Sequence, residues 1–337
     1  MRVFYKLLIV LLMVGLSGFG YAQSKAGTTI GQFLKIEPSA RNSAIGGASV
    51  SLSGEVMSAY YNPASLGRVN GIGAQFTHSQ WLADIDFNYF TVALPIARFG
   101  TFAMQITSLN SGEIDVRTVD QPLGTGERYS VTNFSLGAGY GMMLTDRVSV
   151  GFQVNYLQET IWHSSTSGIS LNMGVQYRVW ENGPTFGASI VNFGPRTGYD
   201  GRDLFIDYDF NPDIYGDNDQ LPAELRTDKF SLPTAFRAGI SYPFNFSENN
   251  KMLLVVDAMH PNDNNESVNI GAEYQAFDYI FLRGGFRHLF LDDNEGGLTL
   301  GGGLNVGFSG YKITLDYAWA DYGLLNETQR FTLGFQF

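Results

Sequence analysis

Apolar and polar residues alternate with a period of two along most of the chain. In VSVGFQVNY, Val148, Val150, Phe152, Val154 and Tyr156 share one face, and Ser149, Gly151, Gln153 and Asn155 share the other. YKITLDYAW sets Tyr311, Ile313, Leu315, Tyr317 and Trp319 against Lys312, Thr314, Asp316 and Ala318. The C-terminal RFTLGFQF sets Phe331, Leu333, Phe335 and Phe337 against Thr332, Gly334 and Gln336. Successive side chains of a strand point to opposite faces, so this period predicts strands. Fourteen such segments are read, near 71–80, 85–95, 98–109, 129–142, 146–160, 166–179, 184–194, 233–243, 250–259, 265–276, 278–289, 295–308, 310–321 and 326–337. Every second connection is mostly long (110–128, 195–232, HPNDNNES, LDDNEGG), and the others are mostly tight (ARFG, LTDR, ENGP, FSG).

Composition decides which all-β fold these strands build. In a sandwich the exposed face would carry many Lys and Glu. Here the polar face is Gly, Ser, Asn and Gln, aromatics crowd the ends of the apolar face, and charged residues are only 16% of the chain. That is the pattern of strands with lipid outside and a polar lumen inside, flanked by aromatic girdles. Short turns at one end and long loops at the other agree with an outer-membrane barrel. The first residues, with Arg2 and Lys6 before the apolar Leu7–Leu16 and then Gly20, Tyr21 and Ala22, read as a cleavable signal peptide, 1–22, cut before Gln23. After it, no stretch approaches the roughly 20 apolar residues of a spanning helix. The absence of cysteine excludes a lipoprotein anchor and a disulfide framework. A formal net charge of −11 argues against nucleic acid as a partner. The expectation is an all-β, 14-stranded antiparallel transmembrane barrel over 71–337 in the bacterial outer membrane. RFTLGFQF would be its closing strand, and 195–232 a long extracellular loop.

Residues 23–70 do not alternate. They are rich in small residues, but Ile45, Val50, Leu52, Val56, Met57, Tyr60 and Tyr61 give them too much apolar surface for a disordered tail. A hatch folded inside the lumen is the expectation. Gly46 and Gly47 allow positive φ or close packing, and Asn62-Pro63 reads as a rigid turn leading to the first strand. The stretch FLKIEPSARNSAIGGASVSLSGEVMSAYYNPASLG resembles the N-terminal signature of the PorV/PorQ family, outer-membrane barrels of the type IX secretion system. Its carriers are Ala40-Arg41, Gly46-Gly47-Ala48 and Asn62-Pro63-Ala64, and Ala44-Ile45 stands where a common form has Gly-Met. The resemblance implies the fourteen-stranded, hatch-plugged architecture of FadL-type fatty-acid transporters, which also carry Asn-Pro-Ala in the hatch. It also implies a non-enzymatic secretion component that meets translocon or attachment-complex subunits and the C-terminal domains of secreted cargo. Outer-membrane lipids would surround it, and no cofactor is implied. The alternative function is FadL-like transport of a hydrophobic small molecule.

Candidate chemistry follows from what would face the lumen. Arg237, Glu273, Arg283, Arg287, Lys312, Asp316 and Arg330 are expected to form an ion-pair network with the hatch. The acids of the long loop lack the spacing of a calcium-binding EF-hand, and its apolar Phe205, Tyr208, Phe210 and Tyr215 suggest a surface for a partner. His78-Ser79 and His163-Ser164 are adjacent pairs, which a strand points to opposite faces, so neither predicts a catalytic dyad. His260 and His288 show no metal spacing. An apolar lumen pocket near the extracellular side would favour transport. A wholly polar, plugged lumen beneath an apolar loop surface would favour protein binding.

Overall fold

The computed structural model describes residues 26–211, 213, 220–291, 294 and 296–337, so the expected signal peptide and Tyr215 lie outside the described residues. Fourteen long strands follow the alternating segments: β1 (Gly73–Gln80), β2 (Asp86–Ile96), β3 (Gly100–Asn110), β4 (Val131–Met143), β5 (Val148–Ile161), β6 (Ser164–Arg178) and β7 (Thr185–Phe193). The second half is β8 (Ala235–Asn245), β9 (Asn250–Pro261), β10 (Ser267–Ala276), β11 (Ile280–Leu289), β12 (Leu298–Phe308), β13 (Tyr311–Asp321) and β14 (Glu327–Gln336). Each pairs antiparallel with the next, and β14 returns to β1 from Gly73↔Gln336 to Gln80↔Gln329. The sheet is therefore closed, which leaves no free edge in the wall. Bulges interrupt the register between Leu171 and Met173 against β7, and between Val268 and Ile270 against β11.

Burial is inverted relative to a soluble protein. On β5, Gln153 is 2% exposed while the neighbouring Phe152 is 49% exposed, and the same contrast holds for Asn155 against Val154. Polar side chains face a filled lumen, and the large apolar ones form an outer band suited to hydrocarbon. The turns at one end are short, as at 97–99 and 309–310, and the other end carries the loops 111–130 and 194–234. That loop end is the extracellular end in outer-membrane barrels. One exception is the two-residue turn Trp162-His163 between β5 and β6. Within the loops, Ile114–Asp115 pairs with Arg128–Tyr129, and Phe205–Tyr208 pairs with Leu221–Glu224 as a small hairpin.

Residues 26–70 run through the lumen from one end to the other. At the loop end Ile30 N–H donates to Ser231 O at 3.1 Å, and at the turn end Phe337 N–H donates to Ile72 O at 2.9 Å. Between these lie a 3₁₀ turn (Gln32–Lys35), α1 (Ala40–Ala44), α2 (Ser58–Tyr61) and a second 3₁₀ segment (Pro63–Arg68). Ser39 caps α1, its Oγ accepting from Asn42 N–H at 3.2 Å. Ile45, Val50, Met57, Tyr61 and Leu66 are fully buried. Each such apolar side chain contributes about 1.5–3 kcal/mol of burial. Gly46 and Gly47 take φ of 73° and 71°, which non-glycine residues adopt at a cost. Opposite them, Gly271 and Gly285 of the wall are bare because any Cβ would strike the backbone of Ile45 or Gly46. The hatch is thus packed as a protein core inside the barrel.

The lumen, its hatch and an extracellular-side cavity

Three hatch residues carry polar contacts that the small-residue pattern cannot supply. Arg41 on α1 donates to Glu273 of β10 through Nε at 2.7 Å and Nη2 at 2.6 Å, a bidentate pair. Its Nη1 lies 3.2 Å from Glu55, also on the hatch. Glu273 accepts from Arg283 Nε at 2.6 Å, and Arg283 Nη1 reaches Asp316 at 2.6 Å. Five charges thereby tie the hatch to β10, β11 and β13 in the turn-end half of the lumen. Asn62 is the third contact. Its Oδ1 accepts from Ala64 N–H at 3.0 Å, and its Nδ2 donates to Val50 O at 2.7 Å and Val175 O at 3.1 Å. This corrects the expectation of a turn into the first strand: Asn62 caps the 3₁₀ segment that opens at Pro63 and pins it to β6. Pro63 and Ala64 press against bare Gly151 of β5.

The expected single network of lumen charges is corrected as well. Arg237, Arg287 and Arg330 form no ion pair among the described residues and rest on aromatic rings instead. Their guanidinium carbons lie over Tyr61 at 5.5 Å, Tyr322 at 4.2 Å and Trp81 at 5.9 Å. Arg287 Nη1 also donates to the Tyr322 hydroxyl at 2.7 Å. The reason is position along the strands. Arg287 is four residues, about 13 Å of strand, beyond Arg283 toward the loop end, out of reach of Glu273 and Asp316. Lys312, at the turn-end rim, is exposed and outside the network.

Above the hatch, toward the loop end, lies a cavity of about 490 Å³. Its hatch side is Phe33, Leu34 and Ile36, its wall includes Leu109, Val191 and Met259, and Arg237 and Arg287 also line it. It is neither the wholly apolar nor the wholly polar lumen that would separate the two functions cleanly. Asp263, in the β9–β10 loop, holds the hatch entry at its mouth. It accepts from Thr29 Oγ1 at 2.7 Å, Gln32 Nε2 at 3.1 Å and Lys35 Nζ at 3.0 Å. Burial raises the Asp263 carboxyl, but these three donors outweigh burial and hold it below its ordinary value. On β5, Glu159 accepts from Gly31 N–H at 3.1 Å and Tyr199 Oη–H at 3.0 Å. Sequence reading missed Asp263, Glu55 and Glu159. Only the Asp in PNDNNES could have hinted at the first, because nothing local marks a loop acid as a partner for residues 228–234 positions earlier in the chain.

Ser267 Oγ lies 3.4 Å from His288 Nδ1 near the same cavity. Among the described residues no carboxylate meets the other ring nitrogen, so the orienting third member of a catalytic triad is missing. His78 contacts Asn88, His163 contacts Asp203 and His260 contacts Glu266, all by side chain. On the outer surface Phe205, Tyr208 and Phe210 are exposed on the loop hairpin and its edge, Phe210 at 78%.

No protein-family model matches the sequence, and no curated protein does. Solved structures do match over most of the chain. A Pseudomonas aeruginosa FadL homologue superposes with a TM-score of 0.56 at 11% identity, covering 93% of this chain and 99% of that one. The Ralstonia pickettii toluene transporter TbuX gives 0.54 at 13% identity, covering 89% and 98%. The Pseudomonas putida toluene transporter TodX gives 0.54 at 13%, covering 89% and 97%. At such identities the likeness is one of fold. A closed wall of fourteen antiparallel strands around an N-terminal hatch, superposable on these proteins over nearly their whole length, gives this chain the fold of the FadL-type outer-membrane barrels.

Proposed function

We propose that the protein is a FadL-like outer-membrane transporter that captures a hydrophobic small molecule in the cavity between its hatch and its extracellular loops. The cavity itself carries this reading. It is of the size of a small-molecule site and mostly apolar, and consecutive hatch residues form one side of it, so a bound molecule touches the element that blocks the lumen. Likeness of fold to toluene transporters supports it. On this reading the hatch moves during passage, because its apolar residues pack as a core inside the lumen. Binding is tested by displacement of a fluorescent hydrophobic probe from the purified barrel by toluene and by dodecanol. Both should displace the probe from the native protein. Neither should do so when Leu34→Trp and Met259→Trp fill the cavity. Absence of displacement from the native protein would sink the reading.

A second reading has its own observation. The Ala-Arg, Gly-Gly-Ala and Asn-Pro-Ala residues of the PorV/PorQ-like signature occupy joints of the hatch, and the loop hairpin exposes Phe205, Tyr208 and Phe210. On this reading the barrel is a non-enzymatic type IX secretion component. It binds cargo C-terminal domains or a translocon or attachment-complex subunit through that hairpin. Co-purification of such proteins in mild detergent, lost with Phe205→Ser and Phe210→Ser, is its expected result.

A further inference from the structure

Two arginines make the cavity unlike a hydrocarbon site. Arg237 on β8 is 7% exposed and Arg287 on β11 is 5% exposed, and both line the cavity. Arg237 rests on the Tyr61 ring, and neither its Nε nor its Nη1 meets an acceptor. Arg287 spends Nη1 on the Tyr322 hydroxyl and Nη2 on Asp321 O at 3.4 Å, and its Nε meets no acceptor. A buried guanidinium N–H without an acceptor is costly, more so in a low-dielectric lumen. The other ionisable groups on the cavity do not relieve it. Lys35 and Asp263 pair with each other at 3.0 Å, and the His288 ring contacts Ser267. Glu37 brings one carboxylate from the hatch, and its Oε2 has no partner. Two guanidiniums thus face one unpaired carboxylate across an otherwise mainly apolar space.

We infer that the cavity takes an amphiphile whose head is a tetrahedral oxyanion, a phosphate or sulfate ester, held between Arg237 and Arg287. The tail lies against Phe33, Leu34, Leu109 and Met259. This deepens the small-molecule reading above and rests on it. Head geometry follows from the donors. A planar carboxylate satisfies one guanidinium fork with its two oxygens. The free donors here belong to two guanidiniums reaching in from β8 and β11, three strands apart. A tetrahedral head with three free oxygens in different directions can accept from both. Glu37 opposes such a head by charge, which makes it the residue that limits affinity.

The test compares dodecyl phosphate, dodecanoate and dodecanol, which share a tail, with inorganic phosphate, on the full barrel in octyl tetraethylene glycol ether, by calorimetry. Dodecyl phosphate is expected to bind at least tenfold tighter than dodecanol, with dodecanoate between them. Arg237→Gln and Arg287→Gln should each remove most of that advantage, read as the ratio of dodecyl phosphate to dodecanol affinity, and the heat-modifiable gel migration of the closed barrel shows that the variants are folded. Glu37→Gln should raise the ratio of dodecyl phosphate to dodecanol affinity. Inorganic phosphate that binds with the same arginine dependence would support the subsite and identify its source as the free ion. Equal binding of the three heads, or a phosphate preference that survives both arginine substitutions, would overturn the inference and leave the small-molecule reading standing. Failure of every amphiphile to bind would overturn both.

Discussion

Replacing Glu273 by Ala should loosen the hatch without opening the barrel wall. Among the described residues, Glu273 is the one carboxylate that accepts from both the hatch arginine, Arg41, and a wall arginine, Arg283. Removing one partner of a buried ion pair costs about 3–5 kcal/mol because a charge is left without compensation. Here each arginine keeps a second partner, Arg41 at 3.2 Å from Glu55 and Arg283 at 2.6 Å from Asp316, which places the loss at the lower end, about 3 kcal/mol. At about 1.4 kcal/mol per tenfold, that raises the population of released hatch roughly a hundredfold. Trypsin reads this directly, since Lys35, Arg41 and Arg68 all lie on the hatch. Cleavage at these sites should accelerate by about that factor, while the heat-modifiable gel migration of the closed barrel persists. The double variant Arg41→Ala, Glu273→Ala should be less damaging than the two single losses added together, because the pair is coupled. A change in cleavage of less than about threefold would refute the view that this network is the latch. So would loss of the barrel together with the hatch.

Further expectations follow from the same contacts. Asn62→Ala deletes a cap and two donations to buried carbonyls and should cost about 1–3 kcal/mol in chemical unfolding of the detergent-solubilised barrel. The Asp263 carboxyl titrates below its unfolded value, so its hold on Thr29, Gln32 and Lys35 is complete above about pH 4 and fades as the pH falls through its folded value. Once exchange is corrected for its intrinsic pH dependence, the protection of residues 29–35 should fall as the pH drops below about 4 in the native protein, and Asp263→Asn should flatten that dependence. An epitope joined to Ala26 should be reached by antibody on intact cells, because the hatch enters at the loop end; labelling only after permeabilisation would contradict this threading.

The wall was legible because each strand carries its environment in its own sequence. Phe152 and Gln153 alternate whether or not a neighbour is known, and all fourteen strands fall within a few residues of their alternating segments. The hatch was legible only as an exception to that pattern, through its small and apolar residues. Its contacts were not, since Arg41 and Glu273 lie 232 positions apart and pair only once the barrel has closed. The lumen charges show the same limit. Arg237, Arg287 and Arg330 are buried in the wall, but height along the strands decided which arginines found carboxylates and which found rings. The wall glycines opposite Ile45 and Gly46 looked like ordinary strand residues until the hatch backbone was seen against them.

The central claim is that the space between hatch and loops holds a hydrophobic molecule, and native mass spectrometry of the protein extracted gently from its own outer membrane tests it most directly. The account predicts a bound small molecule that disappears when Leu34→Trp and Met259→Trp fill the cavity. A protein that leaves the membrane without any small molecule, in complex with other proteins through its loop hairpin, would contradict it and transfer the function to the secretion reading.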